Sequence, residues 1–454
     1  MEKEFTRDYT EGKITLPLVR FALPLFLANI LQIFYNMVDM IVVGHVEGQA
    51  GLSAVSIGGE ITMLFTVLVM GFSNAAQIII SQYVGARQKD KIGRFIGTLV
   101  LTLLAAAIVC TVLALMMRKQ MLDWMNTPQE AYEQALGYSV MSMSGIIFVF
   151  GYNAVSAIMR GLGDSKRPFL FVTIASVLNM LLDVAFVVGL KMGAFGAALA
   201  TVISQAISFL CAIIYLFRNK ERLGFELSRK DLRMDWGMFK TLIKLGIPLA
   251  LRSAAVIFSR LFTNSFVYSY GLAVTAVTGI GSKINMIGNL VSMSLQTAGA
   301  TMVGQNIGGQ KYSRVWKIMI SVWTINLALT LPLIAAIILF PEQIFMLFTS
   351  DISIMDVVRE FVPIAAIMLS ACVLRSGAGS LTIGSGNFMV NFAVALIDAL
   401  IARIGLALLF GIVFDMGYRG FWLGDAISGT MPFFIGIVFL LSGRWKTRKH
   451  IIKE

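Results

Sequence analysis

Long apolar runs, separated by short polar or basic connections, dominate the chain from near its start to near its end. A helix that crosses a membrane needs about 20 mostly apolar residues. Twelve segments reach this length: 21–44, 61–86, 95–117, 134–159, 169–190, 192–217, 245–271, 284–310, 318–341, 361–386, 388–414 and 421–443. The pattern therefore predicts an all-α integral membrane protein with twelve transmembrane helices.

Lysine and arginine residues sort to one side of such a membrane. Twelve crossings place both termini on the same side, and the termini with the connections on that side carry 27 Lys and Arg residues, against 5 on the opposite side. Because basic residues accumulate on the cytoplasmic side of membrane proteins, we expect cytoplasmic termini. The expected location is the inner (cytoplasmic) membrane of a cell.

Composition supports a membrane protein and excludes several other classes. Hydrophobic residues make up 57% and charged residues 14% of the chain, whereas soluble chains carry roughly 25% charged residues. The net charge of +12 is explained by orientation in the bilayer, so we expect no nucleic-acid partner. Three cysteines in apolar runs and two distant histidines indicate no disulfide framework, histidine metal site or catalytic triad. The sequence therefore predicts a protein that is not an enzyme.

The two halves of the chain resemble each other at an offset of 223–224 residues. The matching segments are 23–25 with 247–249, 82–85 with 305–308, and 193–196 with 417–420. Each half holds six predicted spans, so both halves have the same orientation in the membrane. We expect two six-helix lobes related by a pseudo-two-fold axis along the membrane normal. The predicted domains are an N-terminal lobe (1–217), a basic cytoplasmic linker (218–240) and a C-terminal lobe (241–454).

A polar stripe lies within the first predicted span. Gln32, Tyr35, Asn36 and Asp39 are spaced so that they share one face of a helix. Charged groups inside a membrane are costly and usually face a cavity or a partner. We expect the stripe to line a substrate cavity within the lobe, and the alternative is hydrogen bonding between helices.

A second polar group follows in the fifth and sixth spans. Asn179 and Asp183 lie one helical turn apart, and Thr201 comes in the next span. Together with Asp39 they offer two carboxylates, an amide and a hydroxyl, which are the ligands that a small hard cation such as Na⁺ prefers. The two acids could instead share a proton, and a structural network is a third interpretation. We predict cation coupling by Asp39, Asn179, Asp183 and Thr201, with H⁺ or Na⁺ as the ion and no cofactor.

The second half differs at the equivalent positions. The repeat places Thr263 opposite Asp39 and Asp425 opposite Thr201. Basic residues are added there, and we expect them to pair with Asp398 or Asp425, or to reach the membrane surface with their long side chains. These basic residues are Arg252, Arg260, Lys283, Arg375 and Arg403.

Two prolines sit early in equivalent spans of the two halves. Pro24 and Pro248 each remove a backbone hydrogen bond and can kink a helix. We predict a helix kink at each proline, with either a gating role or a packing role.

Several of these motifs together resemble the MATE (multidrug and toxic compound extrusion) family of transporters. The motifs are Leu23-Pro24, the run Tyr35-Asn36-Met37-Val38-Asp39, Val42-Val43-Gly44, Gln82-Tyr83-Val84-Gly85-Ala86, Arg160-Gly161-Leu162-Gly163-Asp164-Ser165 and Gly193-Ala194-Phe195-Gly196-Ala197-Ala198. The resemblance covers nearly the whole chain, as two six-helix halves.

The resemblance implies roles for particular residues. Asp39, Asn179, Asp183 and Thr201 match the cation site of the N-terminal lobe in family members, where a bound ion is coupled to drug release. Tyr138 and Asn153 in the fourth span match positions near the N-lobe cavity. One branch of the family carries acids in spans seven and ten, where this chain has Val256 and Cys372. The N-lobe site is therefore expected to carry the coupling.

The expected function is secondary active antiport by a monomer in the lipid bilayer, which exports amphipathic drugs or toxins in exchange for H⁺ or Na⁺ by rocker-switch alternating access. The alternative is a flippase for lipid-linked precursors, in which basic residues of the second half would bind a pyrophosphate. The third possibility is an intramembrane enzyme, for which no nucleophile or metal motif is visible, or a channel, which would normally be built from subunits around a pore and would pass current without a coupled gradient.

Overall fold

The computed structural model of the chain describes residues 7–223, 225 and 231–452. Within these ranges the chain forms helices and no strands. Part of the predicted linker 218–240, namely residues 224 and 226–230, lies outside the described residues, as do both chain ends. In chain order the α-helices are α1 (Thr15–Gly85), α2 (Lys89–Met116), α3 (Arg118–Trp124), α4 (Gln129–Ser144), α5 (Ile146–Gly161), α6 (Lys166–Asp183), α7 (Gly193–Arg218), α8 (Trp236–Tyr268), α9 (Leu272–Gly308), α10 (Tyr312–Leu339), α11 (Pro341–Met346), α12 (Met355–Gly384), α13 (Phe388–Leu396), α14 (Arg403–Leu408), α15 (Gly417–Ser428) and α16 (Met431–Leu441).

The predicted all-α membrane architecture is confirmed. Among the described residues, nine helical segments are long and apolar enough to cross a membrane. The pair α4 and α5, bent by 44° at Gly145, forms a tenth such segment. Two of the twelve predicted spans lie in α1 alone, because Gly48 breaks this 71-residue element into two helices. Gly48 has φ 66° and ψ −147°, a conformation that costs little for glycine but is strained for other residues.

Helix α9 covers the predicted span 284–310 as far as Gly308 but is not among these nine segments, because small and polar residues replace large apolar ones along it. These residues are almost all buried in its C-terminal half. Small side chains let helices approach closely where packing rather than lipid contact decides the interface. A Cβ atom on Gly281, for example, would overlap the ring of Phe361 on α12. The residue types along α9 are therefore determined by close packing against neighbouring helices.

The chain divides into two compact units, which we call the first unit and the second unit. Among the described residues, the first unit comprises Arg7 and residues 24–84 and 88–246. Its centre is α7, which packs against α4, α5 and α6, while α2 packs against α5. Buried residues of α5 and α7 fill the interior, with small residues such as Ala197, Ala198 and Ala200 fully enclosed.

The second unit comprises residues 8–23, 85–87 and those from Ile247 onward. Its central helix is α12, which packs against α9, α10, α15 and α16. An aromatic cluster joins α12 to α15, where the Phe361 and Trp422 rings lie 5.0 Å apart and the Tyr418 and Trp422 rings 5.1 Å apart. The residues before α1 are fixed to this unit, since the backbone N–H of Tyr9 donates to Oε1 of Gln305 at 2.8 Å.

Backbone features recur between the two units at the same offset as the sequence repeat. Lys191 and Asp415, 224 residues apart, both adopt positive φ angles (54° and 53°), and Gly193 and Gly417 do the same. The π-helical segment 184–189 that follows α6 has a counterpart at 409–413 in the second unit. The repeat is therefore carried by the backbone as well as by short sequence matches.

Candidate functional site

The polar stripe on α1 has one fully buried member. Asp39 is 4% exposed, whereas Gln32 and Tyr35 are half-buried and Asn36 is exposed. Asp39 therefore lies in the interior of the first unit. The structure therefore separates Asn36 from the other three residues, which face inward.

Helices α6 and α7 bring the other predicted cation-site residues to Asp39. Asn179 and Asp183 are one turn apart at the end of α6, both buried, and a π-helical segment begins directly after Asp183. Such segments often occur at functional sites. Asn179 donates to Oγ1 of Thr201 at 3.2 Å, and the Thr201 hydroxyl lies 3.5 Å from Oδ2 of Asp39. The four residues form one cluster, which we call the acid cluster.

Three of the four carboxyl oxygens of the acid cluster have no hydrogen-bond donor among the described residues. Asp39 and Asp183 lie within hydrogen-bonding reach of one another. Among the described residues, no hydrogen-bond partner reaches Oδ1 of Asp39, Oδ1 of Asn179 or either oxygen of Asp183. An uncompensated buried charge is strongly unfavourable. The arrangement therefore fits a proton shared by the pair or a small cation bound by these oxygens.

The acid cluster has only oxygen atoms to offer a cation. In the described ranges, no group of three or more His, Cys, Asp or Glu residues is positioned to hold a metal ion. Amide, hydroxyl and carboxylate oxygens suit hard monovalent or divalent cations rather than transition metals. The donor set of the cluster therefore suits a proton or a hard cation.

A small cavity of about 190 Å³ lies in the first unit beside the α1 stripe. Gln32 and Tyr35 line it, together with Tyr152 from α5. Tyr152 is buried, and its hydroxyl donates to the carbonyl oxygen of Pro168 at 3.0 Å. Polar residues of α6 and α7 complete the wall, namely Ser176, Gln205 and Ser208.

These additional polar residues were missed by the sequence reasoning, although a signal existed. Ser176 lies three residues before Asn179 on α6, and Gln205 lies four residues after Thr201 on α7. Residues at these spacings share a helix face, so extending the face of each predicted ligand by one turn would have identified both.

The two residues assigned by family resemblance have different surroundings. Tyr138 is buried, and its ring packs so closely on Gly58 of α1 that a Cβ atom there would overlap it. Tyr138 is thus held against the part of α1 that follows the break at Gly48, whereas Asp39 lies in the part before it. Asn153 is half-buried, and its amide donates to the carbonyl oxygen of Val149 in its own helix at 2.8 Å.

The second unit carries a cluster of charged residues on α8, α12, α14 and α15 and on the π-helical segment 397–402 that precedes α14. Arg403 is 1% exposed and contacts both Asp398, at 3.1 Å, and Asp425. Arg252 lies 3.9 Å from Asp398, and Arg260 lies 4.0 Å from Asp425. The expected pairing with the two acids is therefore present for these three arginines.

Two of the predicted basic residues do not pair with an acid in this cluster. Arg375 donates to the amide oxygen of Asn289, and its Nη2 lies 3.6 Å from the sulfur of Cys372. Lys283 on α9 is exposed. A cavity of about 500 Å³ in the same unit is lined by Arg260 and Asp425 together with aromatic residues of α12 and α15.

Each predicted proline lies inside a helix, at a point where the chain passes from one compact unit to the other. Pro24, in α1, is the first residue of the first unit after 8–23 have packed with the second unit. Pro248, in α8, follows the change back to the second unit after Gly246. Both side chains are buried.

Comparison with protein families gives two matches to the MatE family, over residues 24–185 and 248–409. The two matched segments have the same length, and both ends are displaced by the same 224 residues. The matches therefore coincide with the two halves of the sequence repeat.

Named relatives match along almost their whole length. The chain is 27% identical over 442 residues to "Probable multidrug resistance protein YpnP" of Bacillus subtilis, which covers 97% of this chain and 98% of the relative. It is 24% identical over 446 residues to "Probable multidrug resistance protein NorM" of Thermotoga maritima, covering 97% and 95%.

Solved structures share the fold. A multidrug resistance MATE family transporter, described in an outward-facing conformation, matches with a TM-score of 0.89 at 22% identity, over 98% of this chain and 100% of that chain. A MOP superfamily transporter from Pyrococcus furiosus, described as having a binding pocket of reverse polarity, matches with a TM-score of 0.87 at 23% identity over 100% of both chains.

Proposed function

The chain belongs to the MATE family of membrane transporters, and from this premise we propose that it is a secondary active antiporter that exports amphipathic organic compounds in exchange for H⁺ or Na⁺. The names of its relatives, which are multidrug resistance proteins, support export of drugs or toxins. The alternating access would be of the rocker-switch type, with lobes 1–217 and 241–454 joined by the basic linker 218–240.

One observation carries the coupling proposal, namely the acid pair in the first unit. Asp39 and Asp183 are buried next to each other, and three of their four carboxylate oxygens lack a hydrogen-bond partner among the described residues. Such a pair must gain a proton or a cation to be stable in a membrane. Release of that ion would leave the buried acid pair with an uncompensated negative charge, which is unfavourable. Ion binding and protein conformation are therefore linked.

The energy from one ion is sufficient for useful export. A single charge that moves through 100 mV releases about 2.3 kcal/mol, which corresponds to a gradient of roughly fifty-fold for a neutral compound. We assign the ion to Asp39, Asn179, Asp183 and Thr201, and the compound to a cavity at Gln32, Tyr35, Asn36, Tyr138 and Asn153.

We also propose the topology and assembly. The excess of 27 Lys and Arg residues over 5 favours cytoplasmic termini in a cell (inner/cytoplasmic) membrane. Because each half has its own set of six spans, one chain is sufficient to form two lobes, and the proposed working state is a monomer.

The test is dye efflux from proteoliposomes under imposed gradients, first with sodium varied at fixed pH and then with pH varied in the absence of sodium. We expect Asp39→Asn to abolish gradient-driven efflux. Glu60→Gln is the control for removal of an acid from the first unit, because Glu60 is exposed and lies in the second of the two helices of α1, after the break at Gly48. Full coupled efflux by Asp39→Asn would refute the assignment of the ion site.

A flippase for lipid-linked precursors is the second candidate. Three basic residues of the second unit favour this function, because a pyrophosphate would need basic partners. These residues are Arg252, Arg260 and Arg375. Translocation of a fluorescent lipid pyrophosphate, without dye export, would select this function over drug antiport.

A further inference from the structure

The second unit contains two neighbouring cavities that share part of their lining. The larger, of about 500 Å³, has a wall of Phe361, Phe421 and Trp422 with the polar Asn264. The smaller, of about 230 Å³, is lined by charged side chains, including Arg375 and Arg403. Four residues line both cavities and so connect them, namely Arg260, Asn285, Met368 and Asp425. We call the two cavities together the arginine cavity.

Positive charge exceeds negative charge around the arginine cavity. Four arginines gather there with two carboxylates, those of Asp398 and Asp425. Arg403 is the best-paired of the four, because it contacts both acids. Among the described residues, the hydrogen-bond partners of Arg375 are an amide oxygen and a thiol, and Arg375 is close enough to Arg252 and Arg260 to repel them. Two positive charges are therefore not balanced within the cluster.

The remaining arginines keep hydrogen-bonding capacity. Arg252 and Arg260 lie 3.9 Å and 4.0 Å from their carboxylates, which is too far for a hydrogen bond. The buried Nε atoms of Arg260 and Arg403 lack an acceptor among the residues that the structure describes. Buried guanidinium groups bind carboxylate, sulfonate or phosphate oxygens strongly, because their N–H groups form a planar fork.

We propose that the arginine cavity binds the anionic head group of an amphipathic organic anion, with Arg260 and Arg375 on the head and Phe361, Phe421 and Trp422 around its apolar body. The inference deepens the proposed function, on which it rests, by assigning the second unit an anionic substrate class. The head group can belong to a free amphiphile or to a membrane lipid, because both present the same oxygen atoms.

The test is equilibrium binding to the purified full chain in phosphatidylcholine nanodiscs, read as energy transfer from protein tryptophans to a pyrene probe. Pyrenebutyrate provides the anion, and pyrenemethylammonium is the matched cation with the same ring. We expect the anion to bind at least about tenfold more tightly than the cation. We expect Arg260→Gln and Arg375→Gln each to weaken anion binding by about tenfold.

Matched variants control for charge and folding. Lys283→Gln removes an exposed positive charge from α9 of the same unit and is expected to leave binding unchanged. Arg260→Lys retains the charge and is expected to keep most of the affinity, whereas Trp422→Phe should reduce the energy transfer. Equal binding of both probes, or equal loss in Lys283→Gln and Arg260→Gln, would overturn the proposal.

Two further measurements are needed. The first distinguishes a free anion from a lipid head group, and the second distinguishes failure of the arginine cavity from failure of the proposed antiport. Loss of pyrenebutyrate binding in phosphatidylglycerol nanodiscs, by competition at Arg260, would identify a lipid phosphate as the head group. Asp39→Asn should bind pyrenebutyrate normally while losing coupled efflux. Failure of anion binding in a protein that still couples efflux to an ion would refute the arginine cavity alone.

Discussion

Asn179 in the first unit and Arg403 in the second occupy equivalent positions of the repeat, and each contacts the residue 22 positions further along the chain. For Asn179 this residue is Thr201, and for Arg403 it is Asp425. The same backbone geometry therefore carries a cluster of acid, amide and hydroxyl side chains in one unit and an arginine among acids in the other. The guanidinium of Arg403 stands where a mobile cation is proposed in the first unit.

Removal of this built-in cation should destabilise the protein. We predict that Arg403→Asn lowers the free energy of unfolding by about 3–5 kcal/mol, because Asp398 and Asp425 would be left as buried acids with distant partners. The measurement is the thermal unfolding of detergent-solubilised protein at neutral pH.

The double variant Arg403→Asn/Asp425→Thr is the matched control for that prediction. It rebuilds the Asn–Thr pair of the first unit and removes one of the two acids that lose the guanidinium of Arg403. We expect it to recover a substantial part of the loss. If the double variant were less stable than Arg403→Asn, the equivalence of the two sites would be wrong.

The two acids Asp183 and Asp425 should respond in opposite directions to the same substitution. Asp183→Asn replaces one of two facing carboxylates by an amide that can donate to Asp39, so we predict stabilisation by about 1–3 kcal/mol at pH 8 without sodium. Asp425→Asn removes a partner of Arg403 and Arg260, so we predict destabilisation. Thermal unfolding of both variants in parallel checks the sign, and destabilisation by Asp183→Asn would contradict an unsatisfied acid pair.

Much of the fold follows from sequence because membrane spans are long and uniformly apolar. The bilayer demands about 20 apolar residues for each crossing, and this requirement is visible without tertiary information. This requirement is weaker for helix α9, because a helix buried among other helices can use small and polar residues. The break at Gly48 and the bend at Gly145 depend on single backbone positions and were not predicted.

The candidate site was predicted as far as spacing along one helix allows. The α1 stripe and the pair Asn179 and Asp183 follow from the helical period, whereas the approach of α1, α6 and α7 depends on packing. The sequence does not indicate that Asn36 is exposed and Asp39 is buried, because this difference depends on which other helices pack against each residue. Tyr152, on a different helix, had no local signal that joined it to Tyr35.

The contact between Gly58 and Tyr138 should be sensitive to side-chain size. A Cβ at Gly58 would overlap the Tyr138 ring, whereas Gly59, the next residue, has open space within 4 Å. We predict that Gly58→Val displaces Tyr138, lowers stability by about 1–3 kcal/mol and reduces dye export. Gly59→Val is the matched control and should behave as the wild type in both assays. Equal effects of the two variants would show that helix propensity, rather than this contact, is responsible.

The prolines provide the last prediction, because each lies where a helix passes from one compact unit to the other. Proline lacks the backbone N–H that would continue the helical hydrogen bonding, so the helix bends more easily there than elsewhere. We predict that Pro24→Ala and Pro248→Ala each slow dye export by about tenfold, equivalent to 1.4 kcal/mol in the barrier, while ligand affinity stays unchanged. Pro332→Ala in α10 is the control, since Pro332 also lies inside a helix, is exposed and is distant in sequence from every change of unit. The measurements are initial efflux rates and equilibrium dye binding in the same proteoliposomes. Slowing by all three variants would mean that any helix proline matters, and slowing by none would mean that the chain moves between conformations without bending at these points.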